Sequence, residues 1–366
     1  MSNINNKMIA IAAVAVVLVA GVAAVLILNN NDNPERGPMT DMRGRSVDVP
    51  DNIDSIMGFS SCSLELISFF KMVDKVTHVD KNENFETADR THSFVMKNKL
   101  QNLPKLDQES FEAVAASGVD IIIMSTIAVE KLDNYQEKYG IPVFAINADL
   151  EFGAEYDEQL KKLGILFGEE QRAKELVDGI DALISGIVDN VTGSTTKVYS
   201  CAMNFQGSGS IPFLKTSGDF LPFTYSKVTN IMPSSATPPG KQPYVISLEY
   251  FLANSPAPDY IFADGAGSDS VKTYIKDNAA LLDGVKAIDD GKVYKTLVYK
   301  SWGTNWQNVL INSYYIASIL HADVFTWHFE DKANEILQLF YPGTTVKYAN
   351  IASATSGGGC GIINLN

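Results

Sequence analysis

Apolar and polar positions alternate along most of the chain in blocks of about ten residues. In the first half, short continuous apolar runs predict strands buried on both faces. These runs are residues 55–59, 75–79, 119–124 and 142–146. Between them, apolar residues recur every three or four positions, which predicts helices. These segments are residues 63–73, 109–117 and 129–139. Strands that alternate with helices in this way predict a parallel sheet covered on both faces.

The second half repeats the alternation, with predicted strands at residues 197–202, 260–263 and 292–298. Its predicted helices are residues 248–253, 271–278 and 308–320. Between the halves lies a helical stretch, residues 155–192, interrupted at Gly168. An apolar stripe at helical spacing follows Gly168. Its members are Leu176, Ile180, Leu183, Ile184, Ile187 and Val188.

These patterns predict an α/β fold with two Rossmann-like lobes, each built on a parallel sheet. The predicted lobes are residues 41–154 and 193–345, and residues 155–192 form a long helix that joins them. Ligands of open α/β sheets bind outside the carboxyl ends of the strands. The sequence therefore predicts a ligand cleft between the two lobes.

The N-terminus begins with an uncharged apolar run at residues 8–28. At roughly 1.5 Å per residue its 21 residues reach about 30 Å, the thickness of a bilayer core. Residues 1–28 are thus predicted to be a transmembrane anchor, followed by a flexible tether at residues 29–40. Lys7 favours a single pass through the cell membrane with the large domain extracytoplasmic. A cleaved signal peptide remains the alternative, because Val22-Ala23-Ala24 offers small residues.

Charge and composition exclude several functions. The net charge of −14 argues against nucleic-acid binding, which needs a surplus of Lys and Arg. The four histidines are scattered and form no recognisable metal site, so no protein-held cofactor is predicted. The chain contains no GxSxG, Walker, HExxH or GxGxxG motif in a suitable context, and the protein is predicted not to be an enzyme.

The three cysteines, Cys62, Cys201 and Cys360, fit neither a zinc motif nor a disulfide framework. A disulfide between Cys62 and Cys201 is left open, although it would oppose movement of the lobes. Residues 346–366 are predicted to be a low-complexity tail, and its stretch SATSGGGCG at residues 353–361 is predicted to be disordered.

Several stretches together resemble a known family. They are DMRGRSVDVP at residues 41–50, the helix-to-strand unit at 112–123, SLEYFLANSPAPDYI at 247–261, and residues 308–325. In this order they resemble the class III (helical-backbone) substrate-binding proteins of ABC importers, of the iron-siderophore, haem and cobalamin type. The resemblance covers residues 41–341. It implies an extracytoplasmic protein that captures a metal chelate and delivers it to a permease with ATPase subunits.

The resemblance also implies that Glu112 and Glu249, one in each lobe, dock onto arginines of the permease. Two exposed carboxylates at a fixed separation would set orientation more than affinity. Stabilisation of each helix N-terminus by the carboxylate is the alternative explanation. A membrane-anchored sensor or adhesion module with the same fold, or a protein that binds a bare metal ion, remains a competing interpretation.

Candidate ligand-binding residues lie in loops that follow strands. Ser60 and Ser61 place hydroxyls beside a helix N-terminus, where capping is an equally good explanation. Arg90 could pair with a ligand carboxylate, or could simply be solvated. The 299–306 loop offers flat aromatic surface to a macrocycle or catecholate, with core packing as the alternative for Trp306. The aromatic candidates are Tyr225, Tyr299, Trp302 and Trp306.

Overall fold

The computed structural model describes residues 37–60, 62–125, 128–203, 212–232, 243–254 and 258–366. The predicted anchor, residues 1–28, lies outside the described residues, as does most of the tether. Within the described ranges, no helix has the length and apolar character needed to cross a membrane.

The N-terminal lobe is built on a five-stranded, all-parallel sheet. A short antiparallel hairpin precedes it, formed by β1 (Met39–Thr40) and β2 (Ser46–Val47). The strands of the sheet are β3 (Ile56–Phe59), β4 (Val76–Asp80), β5 (Lys105–Leu106), β6 (Ile121–Ser125) and β7 (Val143–Ile146). They are arranged in the order β5-β4-β3-β6-β7. Strands β3 and β7 are buried along their whole length, which explains why their sequences are continuously apolar.

Helices cover both faces of this sheet. They are α1 (Ser63–Phe69), α2 (Thr91–Val95), α3 (Lys97–Leu100), α4 (Phe111–Ala115) and α5 (Val129–Tyr139), with a 3₁₀ turn at Met72–Lys75. The strands and helices predicted in this half are therefore confirmed, although α1 ends four residues before the predicted boundary. Leu132, Tyr135 and Tyr139 form the buried face of α5.

The connection between the lobes is two helices rather than one. Helix α6 (Ala154–Phe167) ends at Gly168, which has a φ of 70°, and helix α7 (Glu170–Val188) begins two residues later. A left-handed residue after a helix favours glycine because a Cβ would be strained there. The predicted stripe on α7 is confirmed as its packed face: Leu176, Ile180, Leu183 and Ile187 are buried.

The C-terminal lobe carries a second five-stranded sheet. Its strands are β8 (Lys197–Cys201), β10 (Thr229–Asn230), β12 (Tyr260–Ala263), β13 (Val293–Lys295) and β14 (Gly361–Ile362), in the order β10-β8-β12-β13-β14. The first four are parallel, whereas β14 pairs antiparallel with β13. A separate antiparallel pair is formed by β9 (Lys215–Thr216) and β11 (Tyr244–Val245).

The helices of the second half continue the numbering. They are α8 (Leu221–Tyr225), α9 (Leu248–Asn254), α10 (Ser268–Asp277), α11 (Ala279–Leu282), α12 (Lys286–Asp289), α13 (Trp306–Leu320), α14 (Phe329–Phe340) and α15 (Tyr348–Ala354), with 3₁₀ turns at Pro212–Leu214 and Gly265–Gly267. Helix α13 is buried along most of its length, which matches its strongly apolar sequence.

The disorder predicted for the C-terminal tail is wrong. Residues 346–366 contain α15 and β14, and β14 completes the sheet of the C-terminal lobe. Between α15 and β14, Ser356 N–H donates to Asp89 Oδ1 of the N-terminal lobe at 2.8 Å. Lys295 Nζ donates to the carbonyl of Gly357 at 2.6 Å. Small residues permit this path, because a Cβ on Gly357 would lie 1.9 Å from the carbonyl oxygen of Gly265.

All three cysteines are free thiols, so a Cys62–Cys201 disulfide is wrong. Cys62 and Cys201 are buried in different hydrophobic clusters, one centred on the N-terminal lobe and one in the C-terminal lobe. Burial raises the pKa of both thiols above the ordinary value, which keeps them protonated at neutral pH.

At the rear of the interface between the lobes, five large aromatic side chains pack together. This rear cluster consists of Phe69, Tyr156, Trp306, Phe340 and Tyr341, and each is at most 1% exposed. Phe69 and Phe340 have ring centroids 4.7 Å apart, and Tyr156 and Trp306 are 4.9 Å apart. The cluster joins α1, α6, α13 and α14 into one core.

Candidate functional site

A groove of about 620 Å³ opens between the two lobes. One wall is the loop from Asn147 to Gly153, which leaves the carboxyl end of β7, together with the start of α6. Lys300 is the one described lining residue that comes from the C-terminal lobe. This is the end of the sheet at which α/β proteins bind their ligands.

The groove continues inward as a narrow crevice of about 20 Å³, enough for about one water molecule. Asp149, Leu150, Glu151 and Lys300 line both spaces. The remaining described walls come from the C-terminal lobe and are Met203, Ser217, Asp219, Leu221, Pro243, Tyr299, Thr304, Trp306 and Val309. The crevice is therefore the line along which the two lobes touch.

The charged side chains of the described lining are mostly acidic. They include Asp149, Glu151, Glu155 and Asp219, and Lys300 is the one cation among the described lining residues. Burial raises the pKa of Tyr299, and the nearby charge of Glu151 raises it further. The same two causes raise the pKa of Tyr225. Both phenols therefore remain neutral at physiological pH.

The aromatic candidates divide into three positions. Tyr299 is 5% exposed, lines the crevice, and packs on Phe220 with ring centroids 5.0 Å apart. Trp306 also lines the crevice, but its ring belongs to the rear cluster and its indole N–H donates to the carbonyl of Leu150 at 3.0 Å. Tyr225 is 9% exposed and is not among the described residues that line the groove or the crevice.

Arg90 and Trp302 meet each other instead of facing the groove. The Arg90 guanidinium lies 4.4 Å from the centroid of the Trp302 ring, an arrangement typical of a cation–π contact. Arg90 also donates to the carbonyl of Asn82 at 2.7 Å and lies 3.6 Å from Glu83 Oε2. The contact joins a loop of the N-terminal lobe to the 299–306 loop. Ligand contact by these two residues stays a prediction.

Ser60 is tied into the N-terminal lobe. Its N–H donates to Asp80 Oδ2 at 3.0 Å, and its hydroxyl donates to Gln108 Oε1 at 3.1 Å. Its φ of 67° turns the chain sharply at the end of β3. Ser61 lies outside the described residues. Ligand contact by either serine stays a prediction.

Glu112 and Glu249 are exposed in the first turns of α4 and α9, one in each lobe. Hydrogen bonds from its own backbone and from Ser247 hold the pKa of Glu249 below the usual range. Val245, Tyr250 and Leu252 are large apolar residues exposed beside Glu249 in the sequence. A carboxylate next to exposed apolar side chains is suited to an interface between proteins.

The 299–306 loop is held at its start by a buried carboxylate. Asp264 follows β12, is 1% exposed, and accepts hydrogen bonds from Tyr299 N–H at 2.7 Å and Ala266 N–H at 3.0 Å. Burial raises the pKa of Asp264 to about 7, although both hydrogen bonds oppose this shift. Asp264 therefore positions Tyr299 and Lys300 without lining the groove itself.

The acidic residues of the groove are not among the ligand-binding residues predicted from the sequence. Asp149 and Glu151 lie in the loop after β7, and loops after strands are the positions at which the sequence places candidate ligand-binding residues. Asp219 follows β9, a two-residue strand too short to be recognised by periodicity. The sequence does not show which loops of the two lobes come together at the groove, because this depends on how the lobes are oriented relative to each other.

Two α/β lobes that face each other across a groove at their strand ends define a two-lobed binding protein. Residues 59–297 match the family described as Periplasmic binding protein, and the chain belongs to that family. Proteins of this family are extracytoplasmic substrate-binding proteins, not enzymes. No curated protein matches the sequence at a significant level.

Solved structures share the fold at low sequence identity. The molybdate periplasmic binding protein MolA of Haemophilus influenzae, bound to molybdate, has a TM-score of 0.65 at 19% identity, covering 85% of this chain and 100% of its own. CeuE of Helicobacter pylori with Ni(II) bound has a TM-score of 0.63 at 14% identity, covering 87% and 100%. The TroA-like periplasmic binding protein FepB of Veillonella parvula has a TM-score of 0.59 at 17% identity, covering 85% and 98%. The family match and the shared fold together confirm the resemblance to class III substrate-binding proteins, whereas the iron-siderophore, haem and cobalamin type stays a prediction.

Proposed function

We propose that this protein is the receptor subunit of an ABC importer and that it captures a metal chelate in the groove between its lobes. The observation that carries the proposal is the groove itself, lined by the loop after β7 and by Lys300 of the other lobe, in a member of a substrate-binding family. Its volume of about 620 Å³ lies within the range of pockets that bind small molecules and cofactors.

The chemistry of the walls supports a chelate as the ligand. A chelated metal brings its own coordinating atoms, so the protein needs to supply shape, flat surface and charge. Tyr299 supplies a ring at the crevice, and Lys300 and Asp149 supply opposite charges at the groove. Two structural neighbours carry metal-containing ligands, the oxyanion molybdate in one and Ni(II) in the other, which favours a ligand that contains a metal.

Titration of the full-length protein with ferric siderophores, haem and cobinamide tests the proposal. Binding should quench tryptophan fluorescence, because Trp306 lines the crevice and Trp302 lies in the same loop. Substitution Tyr299→Ala should weaken binding at least tenfold, whereas Tyr250→Ala on the exposed surface of α9 should leave it unchanged. If none of these chelates binds, the proposed ligand class is wrong.

Glu112 and Glu249 are our candidates for docking onto the permease, with the uncharged run at residues 8–28 holding the receptor at the membrane. Both carboxylates are exposed and each lies at the start of a helix in a different lobe. The double variant Glu112→Arg with Glu249→Arg should abolish ligand-stimulated ATP hydrolysis by the reconstituted transporter. Ligand affinity of the isolated receptor should stay unchanged. The two exposed carboxylates Glu130 and Glu170 provide the matched control when they are reversed in the same way.

A further inference from the structure

A group of buried polar atoms lies on the rear side of the interface, inside the core that joins the lobes. They belong to four side chains, each at most 1% exposed: Glu65, Tyr156, Gln307 and Tyr341. The hydroxyls of both tyrosines, Glu65 Oε1 and both terminal atoms of Gln307 make no hydrogen bond to any described residue. Nearly all such atoms in folded proteins are bonded to other protein groups or to ordered water.

The two tyrosines belong to the rear cluster and lie against two rings that also contact each other. The ring centroids of Tyr156 and Trp306 are 4.9 Å apart, and those of Tyr341 and Phe69 are 5.5 Å apart. Phe69 and Trp306 have centroids 6.4 Å apart. The four rings thus bring α1, α6, α13 and the end of α14 to one place.

Glu65 and Gln307 are attached to the same two rings through the backbone. Glu65 lies one turn before Phe69 in α1, and Gln307 directly follows Trp306 in α13. Residues four apart in a helix share a face, so the Glu65 carboxyl is directed to the same side of α1 as the Phe69 ring. Both polar side chains are therefore held beside the rear cluster.

Electrostatics group the same residues. Burial raises the pKa of Tyr156 and of Tyr341, and the charge of Glu65 is the second cause for both. Burial also raises the pKa of Glu65 well above its usual range, although the neighbouring Cys62 and Gln307 oppose this shift. Burial thus favours the uncharged acid, which donates one hydrogen bond and accepts others.

The chemistry of this set points to water rather than to an ion. An uncharged acid, an amide and two phenols offer donors and acceptors in similar numbers, and a buried water molecule typically makes about three hydrogen bonds to such groups. Divalent cations are instead held by charged carboxylates or by clusters of His and Cys. Among the described residues, no group of three or more His, Cys, Asp or Glu side chains could hold a metal ion.

We propose that the rear side of the interface encloses ordered water, bound by Glu65, Tyr156, Gln307 and Tyr341. Glu65 belongs to the N-terminal lobe, Tyr156 to the connection between the lobes, and the other two to the C-terminal lobe. The water therefore links three parts of the chain and adds polar bonds to the aromatic contacts of the rear cluster. None of the four residues lines the groove or the crevice, so the site is independent of the ligand that the groove binds.

A high-resolution crystal structure of the full-length protein tests the site directly. We expect density for water within about 2.7–3.2 Å of Glu65 Oε1 and of at least one of the two tyrosine hydroxyls. Direct hydrogen bonds among the four side chains, with no water between them, would overturn the assignment. Density with the short distances and the coordination number of a metal ion would overturn it as well.

The substitution Tyr156→Phe tests the site in solution, because it removes the hydroxyl and keeps the ring. If the hydroxyl is bonded to water, the unfolding equilibrium constant should rise about fivefold, the effect of losing one buried hydrogen bond. A buried hydroxyl that bonds to nothing destabilises the folded state, so its removal would have the opposite effect. Urea denaturation of the full-length protein measures the difference.

Tyr199→Phe is the matched control for this measurement. Tyr199 is fully buried and its hydroxyl donates to the carbonyl of Phe213 at 2.8 Å, so this variant shows the loss of a known hydrogen bond. Similar destabilisation by the two substitutions supports bound water at Tyr156. A Tyr156→Phe variant that is as stable as the original protein, or more stable, would refute it.

Exchange of the buffer cation separates water from a monovalent ion at the same place. Replacing Na⁺ by K⁺ or by choline at constant ionic strength should leave the urea midpoint of the original protein unchanged. A midpoint that depends on one of these cations in the original protein, but not in Tyr156→Phe, would assign the site to an ion and overturn its assignment to water.

Discussion

On the cleft side of the interface, the two lobes meet through charged loops that leave a groove of about 620 Å³. On the rear side, they meet through the aromatic rings of the rear cluster, in which each side chain is at most 1% exposed. Side-chain hydrogen bonds to the backbone also join helices on the rear side. Arg172 of α7 donates to the carbonyl of Phe69 at 2.8 Å and to that of Phe340 at 3.3 Å. One buried guanidinium thus caps the last turns of α1 and α14.

The difference between the two sides indicates how the lobes can move. Close-packed interiors resist deformation, whereas charged loops around a solvent-filled space rearrange at little cost. The tail adds a second restraint, because it is bonded to Asp89 in one lobe and to β13 in the other. Ligand binding should therefore adjust the loops at the groove and leave the relative orientation of the lobes nearly unchanged.

The strongest test of this contrast is removal of a ring from the rear cluster. Phe69→Ala deletes a ring that contacts Phe340, Tyr341 and Trp306 and leaves a cavity between helices from both halves of the chain. The free energy of unfolding should fall by about 3–5 kcal/mol, as for other buried phenylalanines. Urea denaturation measures it.

Trp302→Ala is the control on the cleft side, because it removes an even larger ring that is only partly buried. It should cost less than about 1 kcal/mol, the value of an exposed cation–π contact. If Phe69→Ala and Trp302→Ala lowered the free energy of unfolding equally, both sides of the interface would contribute equally to stability, contrary to the comparison.

The second test concerns pH and the anchoring of the 299–306 loop. The pKa of Asp264 is about 7 in the folded protein, above the ordinary value of 3.8, so between these values the native state holds one more proton than the unfolded chain. Its contribution to stability is complete below about pH 4 and is lost as the pH rises through about 7. One pKa unit corresponds to about 1.4 kcal/mol, which limits the loss to roughly 4 kcal/mol.

Asp264→Asn removes this titration. The stability of the variant relative to the original protein should therefore rise between pH 4.5 and 7.5, as measured by urea denaturation at several pH values. Asp290→Asn is a suitable control, since Asp290 is exposed at the surface and paired with Lys286 and Lys292. If the difference in free energy of unfolding between Asp264→Asn and the original protein stayed constant across this pH range, the raised pKa of Asp264 would be contradicted.

The third test concerns the crossing tail. Gly357→Ala would place a methyl group 1.9 Å from the carbonyl oxygen of Gly265 and 2.5 Å from the hydroxyl of Ser268. The tail would have to shift, and we expect a loss of about 1–3 kcal/mol, as for other overpacked sites. Hydrogen exchange at Ile363 N–H, which bonds to the carbonyl of Val293, should also become faster.

Gly193→Ala is the matched control, because a methyl group there meets nothing within 4 Å. It should leave stability unchanged or raise it slightly by restricting the unfolded chain. If the two alanine substitutions behave alike, the tail does not hold the lobes in the way described.

The sequence predicts the rear side of the interface better than the cleft side. The stripe from Leu176 to Ile187 repeats at helical spacing, and that spacing fixes which residues share the buried face of α7. The strands β3, β6 and β12 are likewise read directly from apolar runs. Such elements are local, and their periodicity is set by a single backbone geometry.

The groove and the tail depend on contacts between distant parts of the chain. The glycines at positions 357–359 resemble a flexible segment in composition, yet each passes close to another part of the chain. A Cβ on Gly357 would meet Gly265, one on Gly358 would meet Lys295, and one on Gly359 would meet Ala352. Arg90 and Trp302 are both plausible ligand residues in the sequence, and only the fold shows that each contacts the other. Asp149 and Asp219 are about seventy residues apart in the sequence and line the same crevice because the two lobes face each other.

The smallest expected effect belongs to the contact between Arg90 and Trp302. Arg90→Ala removes the cation from the ring of Trp302, the hydrogen bond to the carbonyl of Asn82 and the ion pair with Glu83. The buried Glu83 carboxylate keeps the hydrogen bond from the Ser93 hydroxyl at 2.6 Å, which limits the loss. The free energy of unfolding should fall by at most about 1 kcal/mol. Hydrogen exchange in residues 299–306 should become faster, because the loop loses a contact with the other lobe. Arg90→Lys keeps a cation over the ring and should restore much of the protection. A loss as large as that of Phe69→Ala would mean that the cleft side, too, holds the lobes rigidly, and that ligand binding cannot be accommodated by loop movement alone.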